Sequence, residues 1–514
     1  MPSPTHAFVR STTEVAAAPG TTSFWMRADV APPPLAPLEN DLRTDVCIVG
    51  AGIAGLSVAY QLARAGKAVV VVDDGPIGGG ETVRTSAHLA SVLDARFAAL
   101  ERMHGERVQQ IAASHARAID EIEATCRRES IACDFERVDG YLYLAPDDDP
   151  ATLVSEHTAA VRAGVEVAWA DRAPLPFATR RCLRFPRQAQ FHPFRYVAGL
   201  AAAVTRAGGL LVAGHATRMT TDSMALVELA DGHTIAAQAL VVATNSPVND
   251  RITMHTKQAP YRTYVISAPL PAGTVPHALY WDTDDPYHYV RLQRGDDHDV
   301  LIVGGEDHHT GQGGEDATRF ERLEEWARER FGTLGAVLDR WSGQVLNSVD
   351  GLGFVGRNPG DDANVYIATG DTGNGLTNGT IAGLLISDLI LGRKNPWQSV
   401  YDPARITPLA AWSFTRESLH VAAGYARWLA PGDAKTVGLA PGQGTVVQRG
   451  LRKVAVYRDP EGALHECSAV CPHLGGVVAW NEVEKSWDCP CHGSRFDSHG
   501  RVLNGPANRD LEPS

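Results

Sequence analysis

The segment Gly50-Ala51-Gly52-Ile53-Ala54-Gly55 constrains this chain more than any other. It reads G-x-G-x-x-G, between an apolar run at residues 45–49 and a stretch of helical periodicity at 53–65 that stops at Gly66. A second apolar run, residues 68–72, ends on Asp73. Strand, glycine turn, helix, strand and acid make a βαβ unit, the start of a doubly wound sheet. The first glycine permits the tight turn, the second lets the backbone approach a pyrophosphate, and the third lets helix and strand pack closely. The helix start then offers free N–H groups and a positive dipole end to the phosphates. Asp73 stands about 20 residues downstream of the first glycine, where an acid can bond a ribose hydroxyl, and Asp74 is the near alternative. The pattern calls for a dinucleotide without separating FAD from NAD.

At 514 residues the chain is too long for one compact core, which calls for two or three domains. A net charge of −13 with no basic tract argues against nucleic acid or anionic lipid as a partner. No transmembrane segment is expected, because Arg206 and Asp388 break the longest apolar stretches. The first twenty residues lack a basic region followed by an apolar one, so a cytoplasmic, reducing setting is expected. Residues 1–40 read as an irregular lead-in, with Phe24-Trp25-Met26 tacking it to the body.

Two further loops favour FAD. Residues 78–86, with Gly80, Arg84, Thr85 and Ser86, are rich in glycine and hydroxyls and suit close passage beside a flavin. Residues 368–377 join a strand to a helix and contain Gly370, Gly373, Asn374, Gly375, Leu376 and Thr377. Backbone N–H groups at that helix start can stabilise negative charge on a reduced flavin. The stretches 44–89, 190–204, 239–250 (with Ala243 and Thr244), 340–356 and 368–383 resemble the FAD-dependent oxidoreductases of the D-amino-acid oxidase superfamily. The resemblance spans roughly residues 40–400. It implies an α/β (α+β) fold: a discontinuous Rossmann-like FAD domain with an interposed, mixed-sheet substrate domain. It also implies oxidation of a C–N bond by hydride transfer to the flavin.

The C-terminus carries a second constellation. Cys471-Pro472-His473 is followed, after residues 474–488, by Cys489-Pro490-Cys491-His492. Two cysteines and two histidines suit zinc. They also suit the Rieske arrangement, in which two thiolates hold one iron of a [2Fe–2S] cluster and two imidazoles the other. The flanking CPHLGG (471–476), CPCHGSRFD (489–497) and GPA (505–507) resemble a Rieske domain, a small all-β fold. That resemblance makes Cys471, His473, Cys489 and His492 the ligands. Many respiratory Rieske proteins bridge their two cluster loops with a disulfide; here Gly476 stands opposite Cys491, so the bridge cannot form. Only residues 493–514 follow His492, too few for the mononuclear iron site of a ring oxygenase. Cys467 and Cys491 are left as unpaired thiols beside the ligands, and the other four cysteines, Cys47, Cys126, Cys133 and Cys182, are scattered through the flavoprotein.

These readings divide the chain into a lead-in (1–40), a flavoprotein (41–395), a linker with a helix (396–434) and a Rieske domain (435–514). The FAD domain is expected at about 41–145, 190–258 and 342–395, and the substrate domain at 146–189 and 259–341. For the substrate, Arg291 alternates with Tyr287 and Tyr289 on one strand face, where a guanidinium beside aromatics suits a carboxylate. Arg262 with Tyr264 is a second such pair. His88 and His192 are weighed as flavin-attachment and site-lining residues. The expected function is an FAD-dependent amine or amino-acid dehydrogenase that passes electrons through the cluster to an external acceptor. The alternatives are a flavin-dependent hydroxylase and an electron-transfer protein serving a partner enzyme.

Overall fold

The computed structural model describes residues 22–28, 30–249, 253–295, 297–312, 316–429 and 438–514. Most of the predicted lead-in, residues 1–21, lies outside the described residues. A parallel sheet forms the first layer, in the order Leu210–Ala213, Val69–Asp73, Leu42–Val49, Thr234–Val242, Val365–Thr369. Successive residues of its central strand enter different cores. Val46 and Ile48 pack under the helices, while Cys47 and Val49 pack against the antiparallel strands Ala216–Thr221 and Ala225–Leu229. A sheet buried on both faces reads as an unbroken apolar run, as residues 46–49 do. Helices Ile53–Arg64 and Gly375–Ile390 lie against each other on the helical side.

A second, mixed sheet runs Asp339–Ser348, Gln258–Pro271, His298–His309, Tyr289–Gln293, Leu279–Asp282, Glu136–Tyr143, Cys182–Gln190, His88–Leu89. Its pairs are antiparallel except Leu279–Asp282 with Glu136–Tyr143. Helix Asp316–Phe331 covers its outer side through Phe320, Leu323 and Ala327. Strand membership moves two expected boundaries. Residues 136–143 leave the first FAD segment for this sheet, and residues 339–348 join it although 318–341 reads as helix and 342 onward as FAD domain.

The lead-in is anchored where expected. Trp25 is fully buried in a 3-10 turn, Phe24–Arg27, and its indole N–H donates to Thr85 O at 2.6 Å. The C-terminal region holds a three-stranded and a four-stranded antiparallel sheet around Trp487, Phe496 and the cluster-loop cysteines. None of the eight cysteines forms a disulfide, although Cys126 and Cys133 stand only 3.4 Å apart. Among the described residues no helix is long and apolar enough to cross a membrane.

Candidate functional site

The glycine turn has the shape its spacing predicts. Gly50 has φ +111°, and a side chain there would overlap the Ala243 carbonyl. A Cβ on Gly55 would overlap the Gly50 carbonyl oxygen. Gly52 starts the helix in an extended conformation and makes no side-chain cap, leaving the first N–H groups to the cavity. Asp73 is oriented by the amides of Ala51 (2.6 Å) and Gly75 (2.8 Å), and Asp74 accepts from the His215 ring at 2.7 Å. From here a cavity of about 1550 Å³ runs to the mixed sheet. That exceeds the roughly 300–1,000 Å³ of an ordinary small-molecule site and leaves room for a dinucleotide together with a substrate.

Of the residues expected to touch FAD, all line this cavity except Gly55, Gly370 and Thr377. Gly55 acts through packing. A side chain at Gly370 (φ +68°) would run into Phe354 and Gln258. The Thr377 hydroxyl turns inward, to His115 Nδ1 at 2.8 Å and Asn374 O at 3.2 Å. Gly373, Asn374, Gly375 and Leu376 present the start of helix Gly375–Ile390 to the cavity, with no side-chain cap in the way. These cradles fit FAD.

The two arginines expected to grip a carboxylate are engaged elsewhere. Arg291 is fully buried. It donates to Ala87 O (2.9 Å), Phe191 O (3.0 Å) and Gln293 Oε1 (2.6 Å), and it stacks over Trp25. Arg262 pairs with Glu484 at 2.7 Å. Neither lines the cavity, so the expected carboxylate clamp is corrected. Tyr289 does face the cavity, with its hydroxyl 2.7 Å from Thr263 Oγ1. His88 lines it too, held by Ser86 Oγ (3.0 Å) and Val290 O (3.3 Å). Burial, reinforced by Arg291, lowers the His88 pKa to about 3, so its ring is neutral. His192 caps helix Pro193–Arg206, accepting the Arg195 amide at 3.3 Å, and its ring packs on Trp25. Tyr287, expected on one face with Tyr289, also lines the cavity, as do Asp94 and Asp307, which sequence reasoning missed.

At the C-terminal site the two loops converge. The His473 and His492 ring centroids lie 5.0 Å apart, and the Cys471 thiol stands against Cys489. That contact, together with burial, raises the Cys471 thiol, and two thiolates packed this way need a cation between them. Burial lowers the His492 pKa to about 4, and His255 adds to the effect, which keeps the ring neutral as a ligand must be. The donor set fits a [2Fe–2S] cluster.

A Cβ at Gly476 would stand 2.7 Å from Cys491 Sγ and 3.4 Å from Cys491 Cβ, close to disulfide spacing. Gly476→Cys is therefore expected to bond to Cys491 under oxidising conditions. The bridge closes a loop of about 15 residues, worth about 3 kcal/mol by chain entropy. Disulfide mapping by mass spectrometry and the rate of cluster loss in denaturant check it.

The cluster domain is docked onto the flavoprotein. Buried Glu484 pairs with Arg262 and Arg495 and accepts from Ser342. Gln344 Nε2 donates to Gly493 O at 2.9 Å, and Asn504 Nδ2 to Glu81 Oε1 at 2.8 Å, within the flavin-side loop. His255, just before strand Gln258–Pro271, packs its ring 4.7 Å from that of His473 and 5.7 Å from that of His492. Helix Ala411–Ala426 closes the other side, with Tyr425 donating to Leu474 O at 2.8 Å.

A dinucleotide cradle beside a mixed sheet, joined to a Cys₂His₂ cluster domain, defines a flavo-iron-sulfur protein. The chain belongs to the family described as FAD dependent oxidoreductase, whose model matches residues 45–389, and a Rieske [2Fe-2S] domain matches residues 428–513. It is 29% identical to the Rieske 2Fe-2S iron-sulfur protein YhfW of Bacillus subtilis (strain 168), over 92% of this chain and 94% of that protein. It is 28% identical to gamma-glutamylputrescine oxidoreductase of Escherichia coli (strain K12), over 72% of this chain and 89% of that one. Among solved structures it shares its fold with glycine oxidase from Geobacillus kaustophilus (TM-score 0.61, 18% identity, 71% of this chain and 99% of that one). The cofactors are FAD and a Rieske-type [2Fe–2S] cluster.

Proposed function

We propose that the protein oxidises a C–N bond of an amine or amino acid, in a cytoplasmic setting, and that electrons leave through the cluster to an external acceptor. The observation that carries this reading is the docking of the cluster loops. Both imidazole ligands face His255 of the flavoprotein, and Gln344 bonds to Gly493, next to His492. FAD supplies a two-electron hydride acceptor, and a Rieske cluster moves one electron at a time. The chain's own part is to hold both groups in one body. The N–H groups at residues 52–54 and 373–376 receive the dinucleotide, and residues 342–344 and 484–495 fix the cluster domain beside it. The E. coli relative, by its name an oxidoreductase of gamma-glutamylputrescine, and the glycine oxidase fold support a nitrogen-bearing substrate.

An anaerobic stopped-flow experiment with a panel of amines and amino acids tests the reading. Flavin bleaching is expected first, followed by loss of the oxidised-cluster absorbance in the same molecule. A cluster that stays oxidised after the flavin is reduced overturns the relay. Bleaching by no member of the panel overturns the C–N oxidation.

A further inference from the structure

The cavity wall supplied by the mixed sheet is acidic and aromatic where a carboxylate clamp was expected. Tyr287 donates to Asp94 Oδ2 at 2.8 Å, and the Asp94 amide meets Asn374 Oδ1 at 3.3 Å. The sheet thereby abuts the Gly373–Leu376 loop that faces the flavin. Beside these tyrosines, strand His298–His309 presents Asp307 to the cavity, and its Oδ1 is buried without a hydrogen-bond partner. Among the described residues, the only basic side chain this sheet gives to the cavity is His88, whose ring is neutral. The guanidinium of Arg291 is held by main-chain carbonyls behind the wall. The other lining cations, Arg84, His215, Lys485 and Arg501, come from outside the sheet. Arg84 bonds to Ser342 O at 3.3 Å, His215 to Asp74, and Lys485 pairs with Glu482.

We infer that the substrate is an amine held as a cation by Asp307, between Tyr287 and Tyr289, and that the site does not recognise a substrate carboxylate. This rests on the proposed C–N oxidation and narrows its substrate class. A half-buried carboxylate with one unmet oxygen gains a charge-assisted hydrogen bond from an ammonium group, and tyrosine faces accept its charge. A carboxylate in the same place would lie beside Asp307 with no basic group on the sheet to offset the repulsion. Burial first, and Asp94 among the smaller causes, raises the Asp307 pKa to about 7, as expected of a carboxylate awaiting a cation.

The test uses the holoenzyme, anaerobically, with the flavin absorption band reporting binding. The probes are n-butylamine and 1,4-diaminobutane on one side, acetate and N-methylglycine on the other. The amines are expected to perturb the band, and acetate to leave it unchanged at tenfold higher concentration. N-methylglycine should bind at least ten times more weakly than butylamine. Asp307→Asn should weaken the amines tenfold or more, with flavin content and the cluster EPR signal unchanged. Asp307→Glu should restore part of the loss, and it serves if the Asn variant does not fold. Tighter binding of acetate or N-methylglycine than of the amines overturns the inference, as does unchanged amine affinity in both variants. Asp307-dependent amine binding without flavin bleaching would uphold the binding site and overturn the oxidation, which separates the two readings.

Discussion

Gly55→Ala is expected to yield a protein that has lost its flavin but still carries its iron–sulfur cluster. The added methyl would overlap the carbonyl oxygen of Gly50, a backbone atom that cannot rotate away, and would also press on the Ile48 side chain at 3.2 Å. Overpacking of this kind typically costs about 1–3 kcal/mol, and here the relief has a fixed direction. Helix Ile53–Arg64 must lift off strand Leu42–Val49, taking with it the N–H groups at residues 52–54 that face the cavity. The lift is opposed by helix Gly375–Ile390, which lies so close that a Cβ at Gly379 or Gly383 would already overlap Ile53, Ala54 or Ser57. The distortion therefore centres on the phosphate turn. Flavin stoichiometry by absorbance after gel filtration should fall at least tenfold, while the Rieske EPR signal from residues 471–492 persists. Retention of full flavin by the variant would show that the close helix–strand approach is dispensable. Gly66→Ala is the comparison: Gly66 has φ +83° with nothing nearby to clash, so strain in its turn is expected without loss of flavin.

Both cofactor sites were legible because each is written in short spacing. The βαβ turn needs glycines at fixed offsets, and the cluster needs two short loops of cysteine and histidine, so residues within a few positions define the chemistry. The substrate wall is written across the sheet. Alternation along residues 289–293 correctly puts Tyr289 and Arg291 on one face. It carries no information about depth, and Ala87 and Phe191, distant in sequence, supply the carbonyls that hold Arg291 behind the wall. Asp307 lies past the apolar run of residues 300–305, in the polar strand end Glu306-Asp307-His308-His309, where the strand register shifts opposite Arg262 and Tyr264, so no spacing in the sequence marks it. Residues 339–341 read as the end of a helix because charged and apolar residues mix there; pairing with residues 265–267 makes them strand. Arg262 was read beside Tyr264 as a substrate pair, and its partner Glu484 lies in another domain. In the run Asn481–Lys485 that glutamate looks like an ordinary surface charge, and only docking buries it.

That docking is the second large expectation. Glu484→Gln should loosen the cluster domain from the flavoprotein while both cofactors stay bound. The substitution keeps size and shape and removes one negative charge from a site where Arg262 and Arg495 are each about 1% exposed. Removing one partner of a buried pair typically costs about 3–5 kcal/mol, because the charges left behind have lost their counter-ion without regaining water. Asp488 still compensates Arg495 at 3.0 Å, so the deficit falls on Arg262 and nearby Arg84, on the flavoprotein side. Calorimetry should show an early transition for the cluster domain, and hydrogen exchange should speed up in strands Gln258–Pro271 and Asp339–Ser348, with flavin content unchanged. A single transition at the wild-type temperature would remove the ion network from the account of docking. Acid should reproduce the effect in the unsubstituted protein. Burial opposes ionisation of Glu484, but Arg262, Arg495 and Arg84 outweigh it and hold its pKa at about 2, against 4.5 for a free glutamate. A group whose folded pKa is depressed stabilises the fold fully above its unfolded value and loses that contribution as protons bind. The docked state should therefore be insensitive to Glu484 above pH 4.5 and weaken progressively from there toward pH 2, and the Gln variant should lack that component of the acid transition.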